Sequence, residues 1–282
     1  MKTFLSRNTG ALRVFFIAVA LQPSVPTPAM GYVLDWGVES WTAGNTTGTL
    51  MDVQSSGFDI KISITGDLEF SGTSPSIQAS KFPGAALELA MDWDDDFDRP
   101  PPVIGDQVNI LIEFLATGTT DAIQVQNVSY SIYDVDFSNS GGSNFRDMLI
   151  GFRGIDDVDM DADIAPTLSN VGAGATNTIT NGGPSIGLPR AVGNATNTDS
   201  LSPGNVDITF GVTDTITSID FNYLPGSVVG NDPTQQWIGI GNLSFTPVPE
   251  TGTDLALCVF AFGAITVSQC HRRKRRSATP AL

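Results

Sequence analysis

Phe58-Asp59-Ile60-Lys61-Ile62-Ser63-Ile64 alternates apolar and polar residues without a break. A period of two puts every apolar side chain on one side of an extended chain, so the stretch reads as a strand with one buried face. The pattern returns along the chain. Leu87, Leu89, Met91 and Trp93 alternate with Glu88, Ala90 and Asp92. Val108, Ile110, Ile112 and Phe114 form a third set, Val206, Ile208, Phe210 and Val212 a fourth, and Ile219, Phe221 and Tyr223 a fifth. No comparable stretch has helical spacing. The separators are rich in Gly, Asn, Ser, Thr, Pro and Asp, which form turns. One-sided alternation over many short strands predicts an all-β fold: antiparallel sheets packed face to face as a jelly-roll-like β-sandwich. A closed barrel is the alternative.

Two phase slips interrupt the pattern. Ile123 and Val125 are in one phase, and Val128, Tyr130 and Ile132 in the other. A bulge at Gln126-Asn127 would restore the inward face. Ile238 and Ile240 shift in the same way to Leu243 and Phe245 across Gly241-Asn242. Between Leu168 and Asn205 large apolar residues are few, and the stretch reads as long loops with one short edge strand at Thr176 to Thr180. It could also separate two sandwiches, but the strands after Asn205 read as part of the same core.

The two ends of the chain differ from its middle. Lys2, Arg7 and Arg13 precede the apolar run Val14 to Leu21. Pro23, Pro26 and Pro28 then break any helix, and small residues around Ala29 offer a cleavage site. Residues 1–30 therefore read as a secretory signal peptide, 31–246 as the exported β-sandwich and 247–282 as a C-terminal segment. Between Gly31 and Pro247 there are 28 acidic and six basic side chains, a net charge of −22 against −16 for the whole chain. Such a charge argues against a nucleic-acid partner, which requires cationic patches. Both cysteines, Cys258 and Cys270, and the one histidine, His271, lie in the last segment. The exported part thus has no disulfide, no Cys/His zinc site and no Ser-His-Asp or Cys-His machinery.

Carboxylates are the chemistry that remains. Asp92, Asp94, Asp95, Asp96 and Asp98 form one cluster, Asp134 and Asp136 a second, and Asp156, Asp157, Asp159, Asp161 and Asp163 a third. Asp157-x-Asp159-x-Asp161 opens like an EF-hand loop, but Ala162 stands where that loop needs Gly and Leu168 where it needs the closing Glu. An irregular calcium site that unites Asp134 and Asp136 with Asp157, Asp159 and Asp161 is one reading, and solvated loops are the other. An enzyme would need a carboxylate pair for glycoside hydrolysis, drawn from Glu39, Glu69, Glu88, Glu113 and the aspartates. Trp93 and Trp237 read as core residues, while Trp36 and Trp41 are open to sugar stacking or to burial.

The C-terminal segment is the most specific feature. Val248-Pro249-Glu250-Thr251-Gly252 is followed by the uncharged apolar run Leu255 to Val267 and then by Arg272, Arg273, Lys274, Arg275 and Arg276. Basic residues beside an apolar segment stay on the cytoplasmic side. A helix from Leu255 to Cys270 covers about 24 Å at 1.5 Å per residue, a marginal permanent anchor for a ~30 Å core. In its motif, transmembrane helix and basic end, this tail resembles the sorting signal of PEP-CTERM proteins, the substrates of bacterial exosortases. Thr251 stands where that motif has Pro, and Val248 to Gly252 is also similar to a sortase signal. The resemblance implies a membrane-anchored precursor at the inner membrane, a processing enzyme of exosortase or sortase type, and a mature form at the cell surface or in the extracellular matrix. It also implies association with extracellular polysaccharide, with a structural role in biofilm. A calcium-dependent carbohydrate-binding module is the runner-up.

Overall fold

The computed structural model describes residues 30–66, 68–93, 107–140, 143–156, 163–171, 177–181, 188–195, 204–226 and 236–249. The expected signal peptide up to residue 29, Asp94, Asp95, Asp96, Asp98, Asp157, Asp159, Asp161 and the segment from Glu250 onward, with its expected transmembrane helix, lie outside these residues.

The described residues form two antiparallel sheets. In the first, β10 (Thr167–Asn170), β13 (Val206–Thr209), β7 (Val125–Tyr133), β15 (Gln236–Pro247), β5 (Ala86–Met91) and β4 (Ser76–Gln78) lie side by side, and β1 (Tyr32–Leu34) pairs with the end of β15. The second runs β11 (Asn177–Thr180), β12 (Arg190–Gly193), β9 (Ser143–Ile155), β14 (Ser218–Pro225), β6 (Val108–Ala116), β3 (Phe58–Gly66) and β2 (Thr47–Leu50), with β8 (Phe137–Ser140) on β9. The chain is a β-sandwich. No helix of the described residues is long and apolar enough to cross a membrane.

The period-two residues meet where the sheets face each other. Ile60, Ile62 and Ile64 of β3, Leu87, Leu89 and Met91 of β5, and Val108, Ile110, Ile112 and Phe114 of β6 are all buried in one core. Rings bridge the sheets: Phe114 lies 5.1 Å from Phe245, Trp93 5.5 Å from Tyr223, and Tyr32 5.9 Å from Phe58. Burying each such side chain contributes about 1.5–3 kcal/mol, against which the chain loses its conformational entropy.

Both phase slips are bulges, and they occur where β7 and β15 pair. Ser244 lies opposite Ser129 and Thr246 opposite Gln126, so β7 carries the extra residue, and Asn127 there has φ 53. Ile240 lies opposite Ile132 and Leu243 opposite Tyr130, so β15 carries the extra residue at Gly241-Asn242. A third bulge was not legible in the sequence. Asp220 faces Arg153 and Asn222 faces Ile150, with Gly151 at φ +73 as the extra residue of β9. Leu149 and Phe152, three apart, both turn inward because of it.

Three expectations are corrected. β13 ends at Thr209, and Val212 is 74 % exposed. Gly211 and Asp214 close a turn there, with the Gly211 N–H donating to Asp214 Oδ2 at 2.6 Å. The stretch 168–205 holds the expected short edge strand as β11, but also β12 and part of β10. These four-residue strands contain too few large apolar residues to show a period. Trp237 is not a core residue: it pairs with Ala90 on the outer face of the first sheet, where Lys81 Nζ sits 3.5 Å above its ring.

The register also defines two poles. At one, Tyr32 pairs with Phe245, Pro247 with Val125 and Phe58 with Ala116. At the other, Gln236 pairs with Met91, Tyr223 with Val108 and Pro225 with Asp147. The first is called the near pole because both chain ends leave from it.

Candidate functional site

The outer face of the first sheet carries a groove of about 330 Å3. Its origin is the small side chains on a central strand. The Asn127 bulge resets the phase of β7, so Val128, Tyr130 and Ile132 turn inward and Ser129 and Ser131 turn outward. The two serines form the floor, Asp207 and Thr209 of β13 one wall, and Asn242 and Ser244 of β15 the other. Ser131 Oγ donates to Asp207 Oδ1 at 2.5 Å. Asn242, displaced outward by its own bulge, is pinned from the loop after β1: Trp36 N–H donates to its Oδ1 at 3.0 Å, and its Nδ2 donates to Asp35 Oδ1 at 3.3 Å. The indole N–H of Trp36 satisfies the Gly241 carbonyl freed by the same bulge, at 3.0 Å. Trp36 is therefore a buried structural residue. Trp41 is half-buried and packs across Gly48 on β2.

Aromatic rings continue the groove along the strands. Tyr133, the next outward residue of β7, lies over Gly241, and Phe82 lies flat over Gly239; a Cβ on either glycine would come within 2.8 Å of the ring above it. Phe82 and Tyr133 stack at 5.9 Å. Burial, and then the charge of Asp207, raise the pKa of Tyr133, so its hydroxyl stays protonated and can donate. Lys81 bridges Trp237 and Glu88, with Nζ 2.6 Å from Glu88 Oε2. The arrangement is a band of hydroxyl, amide and carboxylate groups with a ring at one end, suited to hydrogen bonding along an extended polar chain.

The acidic residues do something different. Asp134, Asp136 and Asp147 are buried together at the far pole. Asp134 has φ 64 and takes an Asn205 side-chain oxygen on its N–H at 3.3 Å. Asp147 accepts from Tyr223 Oη at 2.7 Å and from the Asp136 N–H at 3.1 Å. Burial chiefly, then the Asp136 charge, push the Asp147 pKa well above the usual carboxylate value, while the Tyr223 hydrogen bond opposes the rise. Asp156 and Asp163, which flank Asp157, Asp159 and Asp161, lie at the near pole instead. Gln124 Nε2 donates to Asp156 Oδ1 at 3.4 Å, and Arg153 pairs with Asp163 at 3.1 Å. The flanks of the third cluster are thus a strand length from Asp134 and Asp136, about 25 Å along β9 at 3.3 Å per residue. Among the described residues no three Asp, Glu, His or Cys side chains come together as a metal site.

Glu88 and Glu113 do not form a hydrolytic pair. Glu88 is on the outer face of the first sheet with Lys81, and Glu113 on the outer face of the second, 2.6 Å from Lys61. Sequence reasoning placed Asn242 at a phase slip but named none of the groove residues as a site, because serines between apolar positions look like any solvent-facing phase. The signal that could have found them is the run small, small, aromatic at Ser129, Ser131 and Tyr133, directly after a phase slip. Of the sorting motif, Val248 and Pro249 are described: the Val248 N–H donates to the Gln124 carbonyl at 2.9 Å, and Pro249 is exposed. No protein-family model matches the chain, and no curated protein is similar to it.

Proposed function

We propose that the chain is an exported protein of the cell envelope or extracellular matrix, processed at Val248–Gly252 by an exosortase-like enzyme and associated with exopolysaccharide. The observation that carries this reading is where β15 ends. β15 is hydrogen-bonded through Pro247, Val248 makes one more main-chain bond, and the motif begins at that residue. β1, the first strand after the signal peptide, pairs beside the same end of β15. A tail that leaves one pole directly at the sandwich suits a domain held at a membrane by that pole. Seven steps from Val248 to Leu255 span roughly 25 Å at most.

The sandwich is of jelly-roll type in this reading. With β5, β6, β7, β9, β12, β13, β14 and β15 as eight successive strands, the first, eighth, third and sixth are neighbours in one sheet. The second, seventh, fourth and fifth are neighbours in the other. Two interleaved Greek keys produce this order, and it supports the jelly roll. β2, β3, β4, β10 and β11 extend the edges, while β1 and β8 pair beside the ends of β15 and β9.

Mass spectrometry of the native extracellular protein tests the processing. The expected C-terminal peptide ends within or beside Val248–Gly252, and the mature form lacks Cys258, Cys270 and His271. A terminus at Thr251 favours a sortase-type cut. An intact Leu282 in the surface-localised form refutes the proposal.

A further inference from the structure

We infer that the outer groove of the first sheet is a saccharide-binding site for a neutral, hydroxyl-rich glycan chain, bound without calcium. The inference rests on the export reading for the source of the glycan, and on the groove alone for the binding. Its lining is almost wholly neutral: Ser129, Ser131, Thr209 and Ser244 offer hydroxyls that both donate and accept, and Asn242 offers an amide. Sugar hydroxyls need this mixture, since each is itself donor and acceptor.

Asp207 supplies the one charge. Its Oδ1 is occupied by Ser131, which orients the carboxylate, and Oδ2 accepts no hydrogen bond among the described residues. A carboxylate of this kind accepts from a pair of sugar hydroxyls and repels an acidic chain, and the net charge of −22 across the exported part adds to that repulsion. Tyr133, two residues beyond Ser131 on β7, adds a half-buried ring and a protonated hydroxyl beside the groove, an apolar face for the C–H side of a sugar and a donor at its tip. The groove lies at the lower end of the ~300–1,000 Å3 range of small-molecule sites and is open to solvent on the sheet surface, so it takes a segment of a chain. Calcium is not required, because a bridging ion needs six to eight oxygen ligands and Asp207 is the one carboxylate in the lining.

The test uses the full chain in detergent with chelator present throughout. Affinity electrophoresis is run in gels containing dextran, a mixed-linkage β-glucan, a galactomannan or acidic alginate. At least one neutral gel should retard the protein, and alginate should not. Ser129→Leu, which fills the floor from a solvent-facing position, should abolish retardation, and Ser244→Leu does the same from the opposite wall should the first variant melt early. Asp207→Asn should weaken binding about tenfold or more, as expected for loss of a charged hydrogen bond. No retardation in any neutral gel overturns the site, as does unchanged binding by a leucine variant with wild-type melting, or equal retardation by alginate. C-terminal mass spectrometry of the secreted protein separates the two readings. A processed tail without glycan binding removes the groove and leaves export standing; binding with an uncut tail does the reverse.

Discussion

Phe114 of β6 and Phe245 of β15 approach to 5.1 Å with their planes inclined by 52°, and each is the inward residue of a central strand in its own sheet. Both are buried, at 0 % and 1 % exposure. Truncation of either to Ala should cost about 3–5 kcal/mol, the transfer term plus the cavity left between two sheets that cannot close on it. For a domain of this size that corresponds to a fall in Tm of roughly 6–20 °C. The double Ala variant would lose nearly all of a typical ~5–15 kcal/mol, so the coupling is better read from Phe→Leu substitutions, each worth about 1–1.5 kcal/mol. The ring contact itself should appear as a coupling of about 0.5–1.5 kcal/mol in that cycle. The assay is urea unfolding of the exported part, with m unchanged across the four proteins so that midpoints report stability. A loss below ~1 kcal/mol for Phe114→Ala, or a Leu cycle additive within ~0.3 kcal/mol, would refute face-to-face packing of the sheets at this point.

Three further outcomes are expected. Asp147 has a folded pKa raised by burial, so the folded state keeps a proton that the unfolded chain releases near ~3.9. Stability from this group is full below that value and falls as pH rises through the folded pKa. Melting from pH 4 upward should therefore show wild type losing ground to Asp147→Asn as pH rises, and a constant difference between them sinks the assignment. Gly193→Ala would place a Cβ 1.9 Å from the Asp136 carbonyl oxygen, backbone against backbone, and should cost more than ~3 kcal/mol. Gly57→Ala, with open space but φ +79, should cost only about 1 kcal/mol; similar losses in the two variants would count against the close approach of β12 and β8. Because residues 31–247 hold no cysteine, reducing agent should leave the melting midpoint of that stretch where it was; a shift would point to a cross-link.

The groove and the near pole give the two proposals a common geometry. Ser244 and Ser129, in the groove, are three and four residues from the last rung of β15 and β7, Pro247 opposite Val125, at the near pole. On the export reading, a domain tethered through Val248 would hold the groove nearer the membrane than the buried aspartates at the opposite end. β15 is central in its sheet and the last described strand in sequence, so the sandwich closes only once the chain up to Pro247 is available to pair.

What the sequence by itself determined was the fold class, most of the inward faces and the place of two of the three bulges. Period two is a local property, and Phe58 to Ile64 or Leu87 to Trp93 could bury one face in no other way. A phase slip is equally local, because one extra residue inverts every side chain after it, and Asn127 and Gly241-Asn242 were readable for that reason. The absence of cysteine and histidine from the exported part was readable in the same direct manner. Only the tertiary structure decided which outward faces matter. Whether Ser129 and Ser131 line a groove depends on what β13 and β15 place on either side of them, and strand order is set by contacts far apart in sequence. The same holds for Trp237, whose outward position follows from its register with Ala90, and for Asp134 and Asp156, which the length of β9 carries to opposite poles. Two acidic clusters that a single ion would have had to unite lie at opposite poles, and small polar residues scattered in sequence were brought together, because pairing between strands rather than distance along the chain fixes which side chains meet.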